Sequence, residues 1–463
     1  MSELEIASGG PGLNLEAPFF MVAGLWMALV LEAFYRRDSG WGIVSMVVYL
    51  TVALWYAADL FITPDSYATF DPEILNTAFW QVGVFLLAYR LITAGLGERR
   101  DAVSTKMAVV PVETYFKFVV PLWLVLMGWG VARMNWDMAA ALWPVKGRNG
   151  PHMWGRGQLG EGFDSLVSAG GYVYIFVCAI FGVLWVEAAA KGTRWRCLVM
   201  VLLAWPYFFF LGARNLLLAV AMPGIFAYLF KDGRVTKGRA VAALGILFVL
   251  HYLMLAMLQF RQTGFQEFIR HPFAAVEMDQ THEGLNMIEE LAFMNLAHDA
   301  GLLELTLGAD YMAHAATVVP RVIWPNKPRI SAEYSKLRGQ EEGAEGAVTA
   351  TIATGLIGQG FINFGPVLGP IAAAGLMALY AWWLCRQWRR RAELPRLLLF
   401  LMGIGLTPNL GREFTLLVLW PLVFAFLLVL VLENWQASER EKSTPRLRLW
   451  RSAGTPPATG AER

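Results

Sequence analysis

The sequence predicts an all-α, polytopic integral membrane protein with about eleven transmembrane helices, and three observations predict it. The 463 residues are 57% hydrophobic and only 16% charged. Many apolar runs approach or pass the roughly 20 residues a helix needs to cross a bilayer core. Lys and Arg gather at alternate ends of those runs, which assigns each loop a side. The net charge of +2 says little by itself. By length alone the chain could form about three soluble domains, but the apolar runs exclude that.

The first 17 residues contain Glu3, Glu5 and Glu16 and no basic residue, so no cleavable signal is read there. Pro18 to Tyr35 makes the first span and meets Arg36 and Arg37. Trp41 to Thr63 makes the second, with an acidic far loop from Pro64 to Glu73. Leu75 to Gly97 follows, ending at Arg99, Arg100 and Lys106, and then Val112 to Val131 leads into a polar loop from Arg133 to Leu166. Ser168 to Ala190 ends at Lys191, Arg194 and Arg196.

The stretch from Cys197 to Phe230 would be roughly 50 Å long as one helix, too long for a core of about 30 Å. Both its ends are basic, so it must fold back at Gly212-Ala213-Arg214-Asn215 as two spans, leaving Arg214 on the outer side. Ala240 to Gln259 is the eighth span, with Arg261 just beyond it. A polar segment, about 260–349, precedes the span Gly365 to Leu384, which meets Arg386 and Arg389 to Arg391. A second hairpin runs from Arg396 to Leu432, broken at Pro408-Asn409-Leu410-Gly411-Arg412, so Arg412 is outer as well. Residues 1–433 thus form one membrane domain with a periplasmic segment at 260–349, and 434–463 form a cytoplasmic, disordered tail rich in Ser, Thr, Pro and Arg. The N-terminus is outside and the C-terminus inside.

The outer segment is the place for chemistry. Leu285, Ile288, Ala292 and Leu296 mark one face of an amphipathic helix. Asp279, His282, Glu283, Asn286 and Glu290 mark another, either an acid–base group facing a cavity or the solvated side of a helix lying on the membrane. His271 reads as a turn residue, and His298 and His314 as satisfied structural residues. Cys178, Cys197 and Cys385 read as inert core thiols. No metal-ligand spacing is present, so no metal and no cofactor are expected.

Arg214 and Arg412 in tight hairpin turns, with Arg261 capping a span, are stronger candidates. A guanidinium at such depth is costly unless paired or hydrated, and its planar fork suits phosphate oxygens. The bland alternative is snorkelling to lipid phosphates. Arg90 and Lys117 read as structural partners of membrane acids. The glycines between Gly355 and Gly365 read as close-packing positions, since no Lys-Ser/Thr follows to make a phosphate loop. From Gly308 to Ile330, Pro320, Pro325 and Pro328 favour an extended chain carrying Trp324, two arginines and Lys327, suited to an anionic headgroup.

Gly308-Ala-Asp-Tyr311, then Pro320-Arg321-Val-Ile-Trp324-Pro325-Asn-Lys327-Pro328, then Gly360-Phe-Ile-Asn363-Phe364-Gly365, resembles the Wzy-type oligosaccharide repeat-unit polymerases. The turns at Arg214 and Arg412 are similar to theirs, and the resemblance covers roughly residues 200–430. It implies an O-antigen or exopolysaccharide polymerase in the bacterial inner membrane. Its substrates would be undecaprenyl-diphosphate-linked oligosaccharides, as donor and acceptor, joined at the periplasmic face with undecaprenyl diphosphate as leaving group. It also implies metal independence, contact with membrane lipid, flippase and chain-length-regulator proteins as partners, and no nucleic acid. On that reading Arg214, Arg321 and Arg412 hold the diphosphate with Arg261 and Lys327 in support. Trp324 stacks on sugar, and His282 or Glu283 is the base. The rivals are an O-antigen ligase-type enzyme, a lipid-linked oligosaccharide flippase, and a non-catalytic scaffold of an assembly complex.

Overall fold

The computed structural model describes residues 16–443 apart from 63, 68–69, 98–111, 147–149, 156–163, 232–235, 261–264, 271–285, 317–318, 320–322, 325, 327–331, 340–351 and a few side chains within helices. Among the described residues all regular structure is helical. The order is α1 Ala17–Tyr35, α2 Gly40–Tyr56, α3 Ala58–Ile62, α4 Pro64–Tyr67, α5 Pro72–Gly95, α6 Val112–Arg133, α7 Met138–Leu142, α8 Asp164–Glu187, α9 Lys191–Ala204 and α10 Pro206–Phe210. It continues with α11 Arg214–Leu229, α12 Lys237–Phe260, α13 Phe265–Arg270, α14 Met287–Asp299, α15 Ala309–Ala316, α16 Ala332–Leu337, α17 Gly355–Arg389, α18 Leu394–Arg412 and α19 Leu416–Ser443. Seven of these helices are long and apolar enough to cross a membrane, and three shorter apolar helices accompany them. The chain is a multi-pass, all-α membrane protein.

Helix α18 forms the centre, buried along almost its whole length between α2, α11, α17 and α19. Helices α1 and α12 lie outermost and expose apolar faces, including Phe20, Met27, Leu244 and Phe248. No water-facing helix could present such faces at this density without aggregating, whereas lipid covers them without cost.

One end of the bundle is basic. Arg90 pairs with Glu32 at 2.6 Å, the structural role expected of it. Lys231 donates to the Val186 carbonyl at 2.6 Å. Arg396 and Arg390 both hold Glu433, at 2.7 and 3.1 Å. Trp388 ties this end together, lying against Gly40 and ring to ring with Phe230. All three cysteines are buried free thiols, as expected.

The first predicted hairpin is present. Trp205 Nε1 donates to the Cys178 carbonyl at 3.1 Å, which sets α9 antiparallel to α8. Gly212, at φ 68°, turns the chain, and α11 returns with Gly224 packed on Gly182. The second hairpin differs in detail, because α18 continues through Pro408 to Arg412 and breaks only at Glu413 (φ −167°, ψ 126°). A membrane helix tolerates an internal proline when neighbours satisfy the freed backbone groups. The start of the predicted disordered tail is also helical, since α19 runs to Ser443 through good helix formers such as Gln436, Ala437, Glu439 and Glu441.

Three further expectations change. The stretch from Gly308 is not extended at its start: Ala309–Ala316 is helical, because a proline restrains only the residue before it. Asp310 in the first turn and His314 in the last also suit the helix dipole. Helix α14 does not lie on a membrane surface with a solvated side. It is buried all round, including Glu289 and Glu290, with Asn286 buried at its N-cap. Tyr334 and Arg338 both reach Glu290, the latter at 3.1 Å, and so staple α16 onto α14. Finally, α17 is two helices across an elbow at Gly365 (φ 81°, ψ −176°). The halves fold back so tightly that a Cβ on Gly360 would strike the Gly369 carbonyl. The glycines here serve close packing, as expected.

Candidate functional site

At the end opposite the basic one, the α18–α19 turn meets α15 and the first half of α17. Asp310 and His314 lie four residues apart on α15 and so share a face. His314 Nε2 stands 3.5 Å from Asp310 Oδ2 and 3.4 Å from Glu413 Oε1. Its Nδ1 lies 2.9 Å from Thr415 Oγ1. A single imidazole nitrogen therefore faces two carboxylates while the other is held by a hydroxyl. Burial pushes the Glu413 carboxyl above the usual carboxylate range, His314 opposes that, and Asp310 adds to it. An acid with a raised affinity for its proton next to an imidazole is a group suited to moving protons.

Gln359, fully buried on the first half of α17, fixes the turn by accepting from the Phe414 backbone N–H at 3.0 Å. Asn363 and Thr306 join the same layer through a 3.0 Å hydrogen bond. Tyr56 closes it below, accepting from the Ile357 N–H at 2.8 Å.

A cavity of about 440 Å³ opens beside this cluster, lined by Tyr311, His314, Phe364 and Phe414 at its head and by Ala372, Gly375, Leu376 and Leu379 along α17. The lining on α17 descends from the elbow for roughly 20 Å at 1.5 Å per residue. Phe364 and Leu379 are exposed, as are Val367, Leu368 and Ile371 on the same flank. Tyr311 and His314 are the polar residues of its lining, and the rest of the lining is apolar. Exposed apolar side chains of α17 border it.

Both hairpin arginines stand at this end. Gly405 packs against Met222 and Pro223, and Trp388 touches both Phe230 and Phe400, so α18 and α11 run antiparallel with 405 level with 222–223. Seven residues further along each helix, that register brings Arg412, the last residue of α18, level with the start of α11, where Arg214 is the first residue. Both are half-buried, and the Arg412 Nε is buried without a hydrogen-bond partner. Trp324 is exposed at a turn. Arg261, His282, Glu283, Arg321 and Lys327 lie outside the described residues.

Asp310, Gln359, Glu413 and Thr415 were not singled out by sequence reasoning, and His314 was read as structural. The signal for Asp310 and His314 was their i, i+4 spacing inside the Gly308 stretch. Glu413 gave none beyond following Arg412. Gln359 gave none, since its role depends on an elbow that brings two distant segments together. Comparison of the chain with protein-family models, curated proteins and solved structures finds no match.

Proposed function

We propose that this protein is a polysaccharide polymerase of the bacterial inner membrane, acting on undecaprenyl-diphosphate-linked oligosaccharides at its periplasmic face. The observation that carries the reading is the Asp310–His314–Glu413 cluster beside Arg412, with His314 on the wall of a cavity whose apolar lining runs along a membrane-spanning helix. Such a cavity matches an amphiphile, with a charged, sugar-bearing head and a long hydrocarbon tail. In this reading the basic end faces the cytoplasm, as the positive-inside rule favours, with the cluster on the periplasmic side, the N-terminus outside and the C-terminus inside.

The residues then take these roles. Arg214 and Arg412 bind the donor diphosphate and stabilise the charge that grows on it as the glycosidic C–O bond breaks. Glu413, paired with His314, accepts the proton of the acceptor hydroxyl as its oxygen bonds to the anomeric carbon. Undecaprenyl diphosphate departs with the bonding electron pair. Trp324 and Arg321 belong to the segment that follows α15 and contribute from there.

The test is complementation of a deletion strain with Arg214→Lys, Arg412→Lys or Glu413→Gln at checked membrane levels. Each variant should lower polymerisation about a hundredfold, the scale for losing one preorganised charge-stabilising group. Short surface glycans should persist while long chains disappear. Loss of all attached glycan with long lipid-linked chains accumulating would indicate a ligase. Units trapped on the cytoplasmic face would indicate a flippase, and normal chains from all variants would overturn the arginine roles.

A further inference from the structure

Gln359 is a buried polar residue whose two ends are unequally served. Its Oε1 accepts from the Phe414 N–H at 3.0 Å. A backbone N–H can only donate, so the amide cannot be flipped, and Nε2 is fixed as the other end. That Nε2 is buried and has no hydrogen-bond partner. Gln359 itself has no exposed surface. Leaving such a donor unpaired in the interior is costly, and groups of this kind call for an acceptor.

Two other orphaned donors belong to residues near Phe414. The Tyr311 hydroxyl, on the cavity wall, is buried without a partner, and burial raises its phenol so that it stays a neutral O–H donor. The Arg412 Nε, two residues before Phe414, is in the same condition. An amide N–H, a phenol O–H and a guanidinium N–H thus stand unpaired on residues grouped about Phe414. Three donors awaiting acceptors mark a place for an oxygen-rich, electron-rich group.

Resting on the proposed function, we infer that Gln359 is a specificity-determining residue that donates from Nε2 to a diphosphate oxygen of the lipid-linked substrate, while its Oε1 holds Phe414 and with it the Arg412–Glu413 segment. One side chain thereby positions the turn and reads the ligand. Tyr311 supplies a second neutral donor from the cavity wall. Neutral donors suit a group whose charge Arg412 balances, because they add hydrogen bonds without further buried charge.

The test uses the full-length protein in nanodiscs and farnesyl diphosphate as the probe, with farnesol and N-acetylglucosamine for comparison. Gln359→Glu keeps an acceptor for the Phe414 N–H and removes the amide donors, whereas Gln359→Met removes both. Both variants should bind farnesyl diphosphate about tenfold to a hundredfold more weakly than the wild type, with farnesol binding unchanged. The Met variant should also lose thermal stability at every pH, and the Glu variant should lose it as pH rises and its buried carboxyl ionises. Tyr311→Phe should weaken the probe by a smaller factor. Wild-type affinity for farnesyl diphosphate in both Gln359 variants, beside weakened binding in Arg412→Lys, would overturn the inference and leave the proposed function standing. An effect confined to N-acetylglucosamine would also overturn it, by assigning the donor to sugar. No binding of farnesyl diphosphate by the wild type would overturn the inference together with the reading beneath it.

Discussion

At the residue scale, Glu413 is the most informative side chain. It ends a buried helix, neighbours an arginine in sequence and an imidazole in space, and burial raises its affinity for a proton. A carboxyl with a raised affinity for its proton is a competent base only above that raised value. Under the proposed function the polymerisation rate should therefore climb with pH along a limb lying above the usual carboxylate range, about 4.3 for glutamate, and Glu413→Gln should abolish that limb along with most of the rate. Stability should move the opposite way. The folded protein holds the proton more tightly than the unfolded chain, so stability falls as pH rises from the unfolded value through the folded one. Rate–pH profiles and thermal melts on the same membranes check both signs. His314→Asn keeps a polar contact to Thr415 yet removes the second proton carrier, and should also flatten the limb.

At the element scale, the elbow in α17 decides where Gln359 sits. Gly365 supplies a backbone conformation with positive φ, and Gly360 supplies room for the folded-back half. Gly360→Ala should destabilise the solubilised protein by about 1–3 kcal/mol, the ordinary cost of overpacking, and lower activity with it. Gly375 has nothing within 4 Å of where a Cβ would go, so Gly375→Ala should melt at or slightly above the wild-type temperature. Gly375→Leu should leave melting unchanged and depress activity by filling the groove. Thermal melts with parallel chain-length gels separate the two effects. The sequence already carried the small-residue pattern of 355–365, and packing is what the pattern serves. What it could not carry was the reversal at Gly365. Propensity describes each residue against its neighbours, while Gln359 and Phe414 meet only after two helices and a hairpin lie between them. The burial of α14 was hidden for a related reason. Glu289 and Glu290 look like solvent-facing residues until Arg338 and Tyr334 arrive from a later helix.

At the scale of the whole molecule, the alternation of basic clusters with apolar runs was legible because the bilayer imposes length and charge rules on every span. The same rules made both hairpin arginines visible, although not their antiparallel register. Sidedness follows as a measurement. In spheroplasts, a membrane-impermeant maleimide should label Met138→Cys, at the end bearing the cluster, and should reach Arg389→Cys only after permeabilisation. The three native thiols are buried and should contribute little background. Labelling in the reverse pattern would invert the topology.

The cavity runs along α17, where Leu379 of its lining is exposed, as are Ile371 and Val367 on the same helix, so substrate entry from the lipid-facing side of the bundle is the route this arrangement favours. An enzyme fed by such a route meets its substrate by two-dimensional diffusion, and the concentration that matters is molecules of substrate per molecule of lipid. Adding inert phospholipid to proteoliposomes, at fixed amounts of enzyme and substrate in the tube, should therefore slow the reaction in proportion to the dilution. Changing the volume of buffer around the same vesicles should leave the rate alone. The membrane is then the reaction vessel, and its area sets the kinetics.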